Sequence, residues 1–170
     1  TLIGDIIRLS QLDEGEPMPT ETVDLLEVTR EAAENLQTAA AARDVTVTVG
    51  GQPAELEGVR RLLYEIVYNL CDNAIKYNVT GGRVDLSVSC TGGTAAVMVR
   101  DTGIGIPADQ QDRVFERFYR VDKSHSKASG GTGLGLSIVK HAVQYHHGVI
   151  ELKSELGKGT EIRVTFPVKA

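Results

Sequence analysis

The 170-residue sequence contains no tryptophan, only three phenylalanines and five tyrosines, and only two cysteines. Cys71 and Cys90 match neither a disulfide framework nor the paired spacing of a zinc site, so they indicate a reducing compartment and apolar packing. The longest apolar runs fall far short of the roughly 20 residues that cross a bilayer. No basic segment followed by an apolar run opens the sequence. From these absences we expect no disulfide scaffold, no transmembrane helix and no signal peptide in this sequence.

The sequence also lacks an excess of positive charge. It carries 18 lysines and arginines against 23 aspartates and glutamates, for a net charge of −5 and a pI near 5.4. Nucleic-acid-binding domains usually present a basic surface, so we expect no nucleic-acid partner. With 41% apolar residues, the chain can bury a core of one ordinary domain.

Hydrophobic periodicity predicts alternating helices and strands. Helical spacing covers residues 1–12, 24–43, 59–77, 107–118 and 134–146, and period-two alternation or strand-forming composition covers 45–49, 83–90, 94–100, 149–154 and 160–168. Thr91-Gly92-Gly93 predicts a hairpin between the second and third strands. We therefore expect an α+β fold, a two-layer sandwich in which helices pack on one face of a mixed sheet.

The third helix carries a polar stripe. Asn69, Asn73 and Lys76 are spaced i, i+4 and i+7, so their side chains share one helix face. Asparagine oxygens can share Mg²⁺ with water and phosphate, and a lysine supplies positive charge. Taken alone, a solvated helix face explains this stripe better.

Two glycine-rich segments follow. Asp101 ends a predicted strand and precedes Gly103 and Gly105, so its carboxylate lies beside backbone that a planar ligand can approach; an ordinary turn is the alternative. Residues 130–137 place glycines before a helix, where free N–H groups can meet phosphate, although a hinge is equally compatible with them. Their spacing fits neither a dinucleotide fingerprint nor a P-loop.

The segment Phe115-Glu116-Arg117-Phe118-Tyr119-Arg120 precedes a polar loop. Packing explains both phenylalanines, whereas the Arg120 guanidinium suits a phosphate oxyanion.

In this order and spacing, the four segments resemble the N, G1, F and G2 boxes of the catalytic ATP-binding domain of sensor histidine kinases. The matching stretches are NLCDNAIKY from Asn69, DTGIGI from Asp101, FERFYR from Phe115 and GTGLGLSIVK from Gly131. Within that family, membrane sensors of the phosphate-regulon type are most similar. The opening residues resemble the end of the second helix of a dimerisation domain, which implies a division into 1–19 and 20–170.

The resemblance implies roles for individual residues. Asn73 would be the main protein ligand of Mg²⁺ with Asn69 assisting, and Lys76 and Arg120 would contact phosphate. Asp101 would accept a hydrogen bond from adenine N6. The remaining nucleotide contacts would be Tyr77, Gly103, Gly105, Ile106, Gly131, Thr132, Gly133, Leu134, Gly135, Leu136 and Thr160, with residues 121–132 as an ATP lid.

Asn69 separates this sequence from relatives that share the nucleotide fold. In the gyrase, heat-shock-chaperone, mismatch-repair and serine-kinase branches, a glutamate base stands four residues before the magnesium asparagine. Asn69 cannot take a proton at neutral pH, whereas an imidazole nucleophile needs little activation. The resemblance therefore implies transfer of the ATP γ-phosphate to a histidine.

The phosphoacceptor is not found in this sequence. None of His125, His141, His146 and His147 begins the pattern H-[E/D]-x-x-x-P, and structural roles are expected for the last three. The expected partners are a dimerisation domain that carries the histidine and a response regulator, in a homodimeric membrane sensor whose catalytic domain is cytoplasmic. The alternatives are a non-catalytic nucleotide-sensing or docking module and an ATP-hydrolysing conformational machine.

Overall fold

The computed structural model describes residues 19–106 and 135–168. The strands are β1 (Glu21–Asp24), β2 (Thr46–Gly51), β3 (Glu55–Gly58), β4 (Arg83–Thr91), β5 (Thr94–Asp101), β6 (Val149–Glu155) and β7 (Gly159–Pro167). The helices are α1 (Leu25–Asn35), α2 (Gln37–Ala42), α3 (Arg60–Lys76) and α4 (Gly135–Tyr145). The helices predicted over 1–12 and 107–118, and the lid over 121–132, lie outside the described residues.

The main sheet has five strands in the order β2-β4-β5-β7-β6. β2 runs parallel to β4, and every other neighbouring pair is antiparallel, so the sheet is mixed. The hairpin predicted between β4 and β5 is confirmed, with Thr91 opposite Thr94. β5 lies at the centre, so its carboxyl end is flanked by strands on both sides.

One face of the sheet is covered and the other faces solvent. Along β4, Val84, Leu86 and Val88 are buried, while the residues between them are more exposed. Helices α1, α3 and α4 pack over the covered face, and α3 also contacts both of the other two helices. The predicted α+β, two-layer architecture is confirmed, with α3 central in the helical layer.

The helical stretch predicted over 24–43 is present, but it is divided into two helices. α1 ends at Asn35, Leu36 leaves helical geometry (φ −105°, ψ 2°), and α2 begins at Gln37. Leu36 is only 2% exposed, so the interruption turns its side chain into the core. The surrounding alanines favour a helix on either side, and periodicity alone therefore did not reveal the break.

A small second sheet was not predicted from the sequence. β1 pairs antiparallel with β3, and Val23 faces Leu56 across it. Asp24 then caps α1 by accepting the backbone N–H of Leu26 (3.0 Å), and the same oxygen accepts the backbone N–H of Ala54 before β3 (3.2 Å). Strands of four residues carry too little alternation to be recognised from sequence.

His146 has the structural role that was expected of it. Its Nε2 accepts the backbone N–H of Val59 (3.0 Å), so Nδ1 carries the hydrogen and donates to the Ala142 carbonyl (2.8 Å). Burial lowers the pKa of this imidazole, which favours the neutral form. The ring therefore joins the beginning of α3 to the end of α4.

Candidate functional site

The structure brings Thr160 and the described parts of two sequence motifs, those that begin at Asn69 and at Asp101, to one end of the molecule. Asp101 ends β5 and lies opposite Thr160 of β7 in register. Tyr77 follows the end of α3, and its carbonyl accepts the backbone N–H of Ile104 (3.1 Å). The loop after β5 therefore lies between the carboxyl end of α3 and the beginning of β7.

The Asp101 carboxylate has two oxygens in different situations. Oδ1 accepts the backbone N–H of Gly103 (2.8 Å) and that of Thr160 (3.2 Å). Oδ2 has no hydrogen-bond partner within residues 19–106 and 135–168. The two backbone bonds hold the carboxylate in one orientation, which leaves Oδ2 as an acceptor for a donor on a ligand.

Burial raises the pKa of Asp101 to about 6, against the opposing effect of the hydrogen bonds from Gly103 and Thr160. An ionised carboxylate in this setting is poorly solvated, so a ligand donor that reaches Oδ2 would stabilise it. The raised pKa also makes the acceptor sensitive to mild acid, because protonation turns an oxygen of the carboxylate into a donor.

The first prediction concerns pH. If Oδ2 accepts from the amino group of adenine, selectivity for adenine over guanine nucleotides should fall as pH drops below about 6, by about tenfold at pH 5. Phosphate ionisation affects both nucleotides equally, so the ratio of their dissociation constants isolates the base. Calorimetry at pH 7.5, 6.0 and 5.0 measures it, and a constant ratio would contradict the assignment.

Glycine is required at two positions of the loop after β5. Gly105 has φ +75°, and a Cβ at this position would collide with the Glu155 carbonyl oxygen. A Cβ on Gly103 would collide with the Tyr77 carbonyl oxygen. The loop backbone therefore packs closely against the end of α3 on one side and against the β6–β7 hairpin on the other. This packing fixes the position of the loop at one side of the site.

The predicted polar stripe on α3 is present and half-buried. Asn69 donates its side-chain N–H to the Glu65 carbonyl (2.7 Å), which leaves Oδ1 as the atom available to a ligand. The Asn73 side-chain amide makes no hydrogen bond within the described residues. Neutral amide oxygens of this kind are suitable ligands for Mg²⁺ when phosphate and water complete the coordination.

Lys76 ends the stripe and is paired with an acid on its own helix. Its Nζ lies 2.9 Å from Asp72 Oδ2, and both side chains are roughly one-fifth exposed. An i, i+4 pair on a partly exposed helix face is worth on the order of 1 kcal/mol or less, so a phosphate can compete with Asp72 for the ammonium group.

The second prediction follows from this pair. Lys76→Ala should weaken binding of a non-hydrolysable ATP analogue by about tenfold and leave adenosine binding unchanged, because the charge acts on phosphate and not on the base. Lys158→Ala is the matched control, since Lys158 pairs with Glu155 (3.4 Å) on an exposed turn. Equal losses for adenosine and the analogue would contradict a phosphate role for Lys76.

Two residues that were not predicted from the sequence, Asn78 and Ser154, connect the segments at this end of the molecule. Asn78 accepts from the Thr102 hydroxyl (3.2 Å) and donates to the Arg83 carbonyl (2.9 Å), which joins the end of α3 to β4 and to the loop after β5. Ser154 of β6 bonds to Ile106, Gly159 and Thr160. Ser154 lies two residues after Leu152 and four after Ile150, so it falls on the same face of β6 as these two apolar residues. A polar residue at the end of this core-facing row was the signal in the sequence.

The structure describes only some of the residues that were predicted to contact phosphate. Gly135 begins α4 and the partly buried Leu136 packs against the core, so a Leu136 contact with phosphate would come from its backbone. The predicted contacts that lie outside the described residues are Arg120, Gly131, Thr132, Gly133 and Leu134.

No group of three or more His, Cys, Asp or Glu side chains that could hold a metal occurs in the described part of the chain. Nor, in that part, is any helix both long and apolar enough to span a bilayer.

The chain is similar to histidine kinases and related ATPases. The family described as "Histidine kinase-, DNA gyrase B-, and HSP90-like ATPase" matches residues 58–170. Over 168 residues the chain is 40% identical to the sensor-like histidine kinase SenX3 of Mycolicibacterium smegmatis, an alignment that covers 98% of this chain and 44% of the relative. The chain thus spans less than half the length of this relative.

Solved structures give the same result. The mycobacterial sensor histidine kinase MprB superposes with a TM-score of 0.77 at 32% identity, covering 88% of this chain and 97% of that chain. Full-length ShkA in complex with AMPPNP superposes with a TM-score of 0.84 at 27% identity, covering 99% of this chain and 36% of that chain.

Proposed function

The chain belongs to the family of histidine kinase-, DNA gyrase B- and HSP90-like ATPases, and on that premise we propose that it binds Mg·ATP and donates the γ-phosphate to a histidine on a separate dimerisation domain. The proposal assigns it to the sensor histidine kinases of two-component signal transduction. Its relatives in that class include one that was solved with the ATP analogue AMPPNP.

The observation that carries the proposal is that residue 69 is an asparagine and not a glutamate. Asn69 lies four residues before Asn73 on α3, and it donates its amide N–H to the Glu65 carbonyl. An amide cannot remove a proton from water or from a serine hydroxyl at neutral pH. An imidazole is largely neutral at that pH and is nucleophilic without such a base. The stripe therefore suits phosphorylation of histidine better than hydrolysis.

The proposed binding residues divide between base and phosphates. Asp101 Oδ2 accepts from adenine N6, while Gly103, Gly105, Ile106 and Thr160 shape the pocket and Tyr77 flanks the nucleotide. Asn73, assisted by Asn69, holds Mg²⁺ through its amide oxygen. The Mg²⁺ ion supplies charge neutralisation at the phosphates. Lys76 and Arg120 add positive charge, and the backbone of 131–136 adds N–H donors.

Catalysis on this chain is proposed to consist of positioning. The phosphoryl group needs an in-line nucleophile and compensation for its negative charge, and it needs no covalent intermediate on the protein. Residues that hold the adenine and the phosphates at fixed separation meet the first need, and Lys76 with Arg120 meets part of the second. The histidine nucleophile is supplied from another domain, because no histidine of this chain begins the expected acceptor pattern.

The context of this domain is part of the proposal. The parent protein is proposed to be a homodimeric membrane sensor with this domain on the cytoplasmic side, and a response regulator receives the phosphate from the histidine. The residues 1–19 would contribute the end of the second dimerisation helix, and residues 20–170 the catalytic domain.

The test is phosphoryl transfer to a supplied acceptor. The chain is incubated with γ-labelled Mg·ATP and a two-helix phosphoacceptor domain from a sensor histidine kinase, with a histidine-to-alanine acceptor and the Asn73→Ala chain as controls. The proposal predicts acid-labile, base-stable label on the intact acceptor only. Adenine-selective binding without label on any acceptor would favour a docking module. Steady phosphate release without an acceptor would favour a conformational ATPase.

A further inference from the structure

The end of α3 is tied to the loop after β5 through side chains to which no ligand contact is assigned. Asn78 follows α3, and its Oδ1 accepts the hydroxyl hydrogen of Thr102 (3.2 Å). Its Nδ2 donates to the carbonyl oxygen of Arg83 at the beginning of β4 (2.9 Å). One half-buried side chain therefore connects three segments of the chain.

The hydrogens of this group have a single arrangement. The backbone N–H of Arg83 can only donate, so the Thr102 hydroxyl oxygen accepts it (2.9 Å). The Arg83 carbonyl can only accept, so the NH₂ group of Asn78 faces it and Oδ1 faces Thr102. The one hydroxyl hydrogen of Thr102 then goes to Asn78. Asn78, Arg83 and Thr102 thus form a closed hydrogen-bonded group, the Asn78 cluster.

A glycine leaves the space that the Asn78 cluster occupies. A Cβ on Gly82 would collide with Asn78 Oδ1 and would lie only 2.9 Å from Thr102 Oγ1. Gly82 is not among the glycines with positive φ, so its backbone conformation suits other residues as well. The space beside the cluster therefore requires glycine at this position, and a larger residue would separate Asn78 from Thr102.

The cluster connects the two halves of the proposed nucleotide site. On one side, α3 carries Asn73 and Lys76, which are proposed to meet the metal and the phosphates. On the other side, Thr102 directly follows Asp101, which is proposed to meet the adenine. The position of one half relative to the other therefore depends on how the end of α3 is attached to this loop.

A backbone hydrogen bond also joins the same two segments. The N–H of Ile104 donates to the Tyr77 carbonyl (3.1 Å). A single hydrogen bond holds a distance but leaves rotation about itself, whereas a second attachment at Asn78 removes that freedom. The Asn78 cluster thus fixes the orientation of the loop on the end of α3.

We propose that Asn78 is a positioning residue, which fixes the separation between the base half and the phosphate half of the site so that one Mg·ATP molecule satisfies both. The inference rests on the proposed function of this pocket. Two half-sites at a fixed and matching separation bind a linked ligand with a high effective concentration. That advantage falls when the separation varies, even though each half still binds its own part of the ligand.

The test compares a whole nucleotide with its two parts. Dissociation constants of Mg·AMPPNP, adenosine and Mg·tripolyphosphate are measured for the unmodified chain and for Asn78→Ala, by calorimetry for the nucleotide and by NMR titration for the parts. We expect Mg·AMPPNP binding to weaken about tenfold, while the constants of both parts stay within about twofold. Equal weakening of all three ligands, or unchanged Mg·AMPPNP binding, would overturn the inference.

The partner hydroxyl provides a rescue. Thr102→Val removes the hydroxyl with little change of shape and should reproduce the loss, whereas Thr102→Ser should bind Mg·AMPPNP within about threefold of the unmodified chain. Combining Asn78→Ala with Thr102→Val should weaken binding no further than either change alone, because both break the same connection. Additive losses, or equal losses in Thr102→Ser and Thr102→Val, would contradict the inference. The matched control is Thr22→Val, which removes a hydroxyl that donates to Glu57 (2.6 Å) in the small sheet and should change no constant.

A third variant opens the cluster without removing any of its polar groups. Gly82→Ala should separate Asn78 from Thr102 and give the same selective loss for the whole nucleotide. Gly50→Ala is its control, because a Cβ on Gly50 meets nothing within 4 Å. A Gly82→Ala chain with the Mg·AMPPNP affinity of the unmodified chain would count against the cluster.

Failure of the inference and failure of the proposed function give different results. An unmodified chain that binds none of the three ligands would overturn both. An unmodified chain that binds Mg·AMPPNP, together with any of the contrary results in the variants, would overturn the role of Asn78 and leave the proposed function standing.

Discussion

Asn73→Ala is expected to lower the Mg²⁺-dependent affinity for an ATP analogue by about 100-fold or more while the domain stays folded. Asn73 lies on the half-buried stripe of α3, and its amide makes no hydrogen bond within the described residues. Its removal therefore breaks no bond described in the structure, and alanine favours the helix. Calorimetric titration with and without Mg²⁺ measures the loss, and circular dichroism with a thermal melt tests the fold.

The matched control is Asn35→Ala, which removes an exposed asparagine from the end of α1, where it donates to the Tyr64 hydroxyl (2.8 Å). This variant should bind Mg²⁺ and nucleotide normally. A folded Asn73→Ala chain with the Mg²⁺ dependence of the unmodified chain would remove Asn73 from the metal site.

Asp101→Asn is expected to reverse the selectivity of the pocket. Oδ1 of the side chain would still accept from Gly103 and Thr160, so the new NH₂ group must occupy the position of Oδ2. A donor at that position opposes adenine N6 and matches guanine O6. We expect adenine-over-guanine preference to fall by about 100-fold in competition titrations. Retained adenine preference would contradict the role of Asp101 in base recognition.

The same substitution should stabilise the domain without ligand. Burial raises the pKa of Asp101 to about 6 from 3.8, so the folded state binds the proton more tightly than the unfolded state. Stability therefore falls as pH rises from about 4 to about 6, and the ionised carboxylate costs on the order of 1–3 kcal/mol above that range. Asp101→Asn should raise the urea midpoint at pH 7.5 and lose this advantage below pH 4. An advantage that persists at pH 3.5 would show that ionisation is not its cause.

The sequence predicted those features that depend on periodicity. Spacing within single elements predicted α3, its polar stripe and the strands β4 and β5. The turn residues between β4 and β5 predicted the hairpin, and the order of helices and strands predicted a mixed sheet with helices on one face. The acceptor role of Asp101 could be proposed because glycines mark a close approach of backbone. What the sequence could not show is that Oδ1 is held by both Gly103 and Thr160, since Thr160 is 59 residues away.

The missed features arise from contacts between distant segments. β1 and β3 are four-residue strands that exist because they pair with each other, and the break at Leu36 exists because the core accepts that side chain. Ser154 looked like an ordinary polar residue of an alternating strand. Its importance appears only when register aligns it with Thr160 and the loop brings Ile106 to it.

The central claim is Mg²⁺-dependent binding of adenine nucleotide, and calorimetric titration of the unmodified chain with a non-hydrolysable ATP analogue tests it most directly. The titration is run with and without Mg²⁺ and repeated with the guanine analogue. The account predicts saturable binding that strengthens at least about tenfold with Mg²⁺ and prefers adenine. A folded chain that binds neither analogue, or binds both equally with or without Mg²⁺, would contradict it.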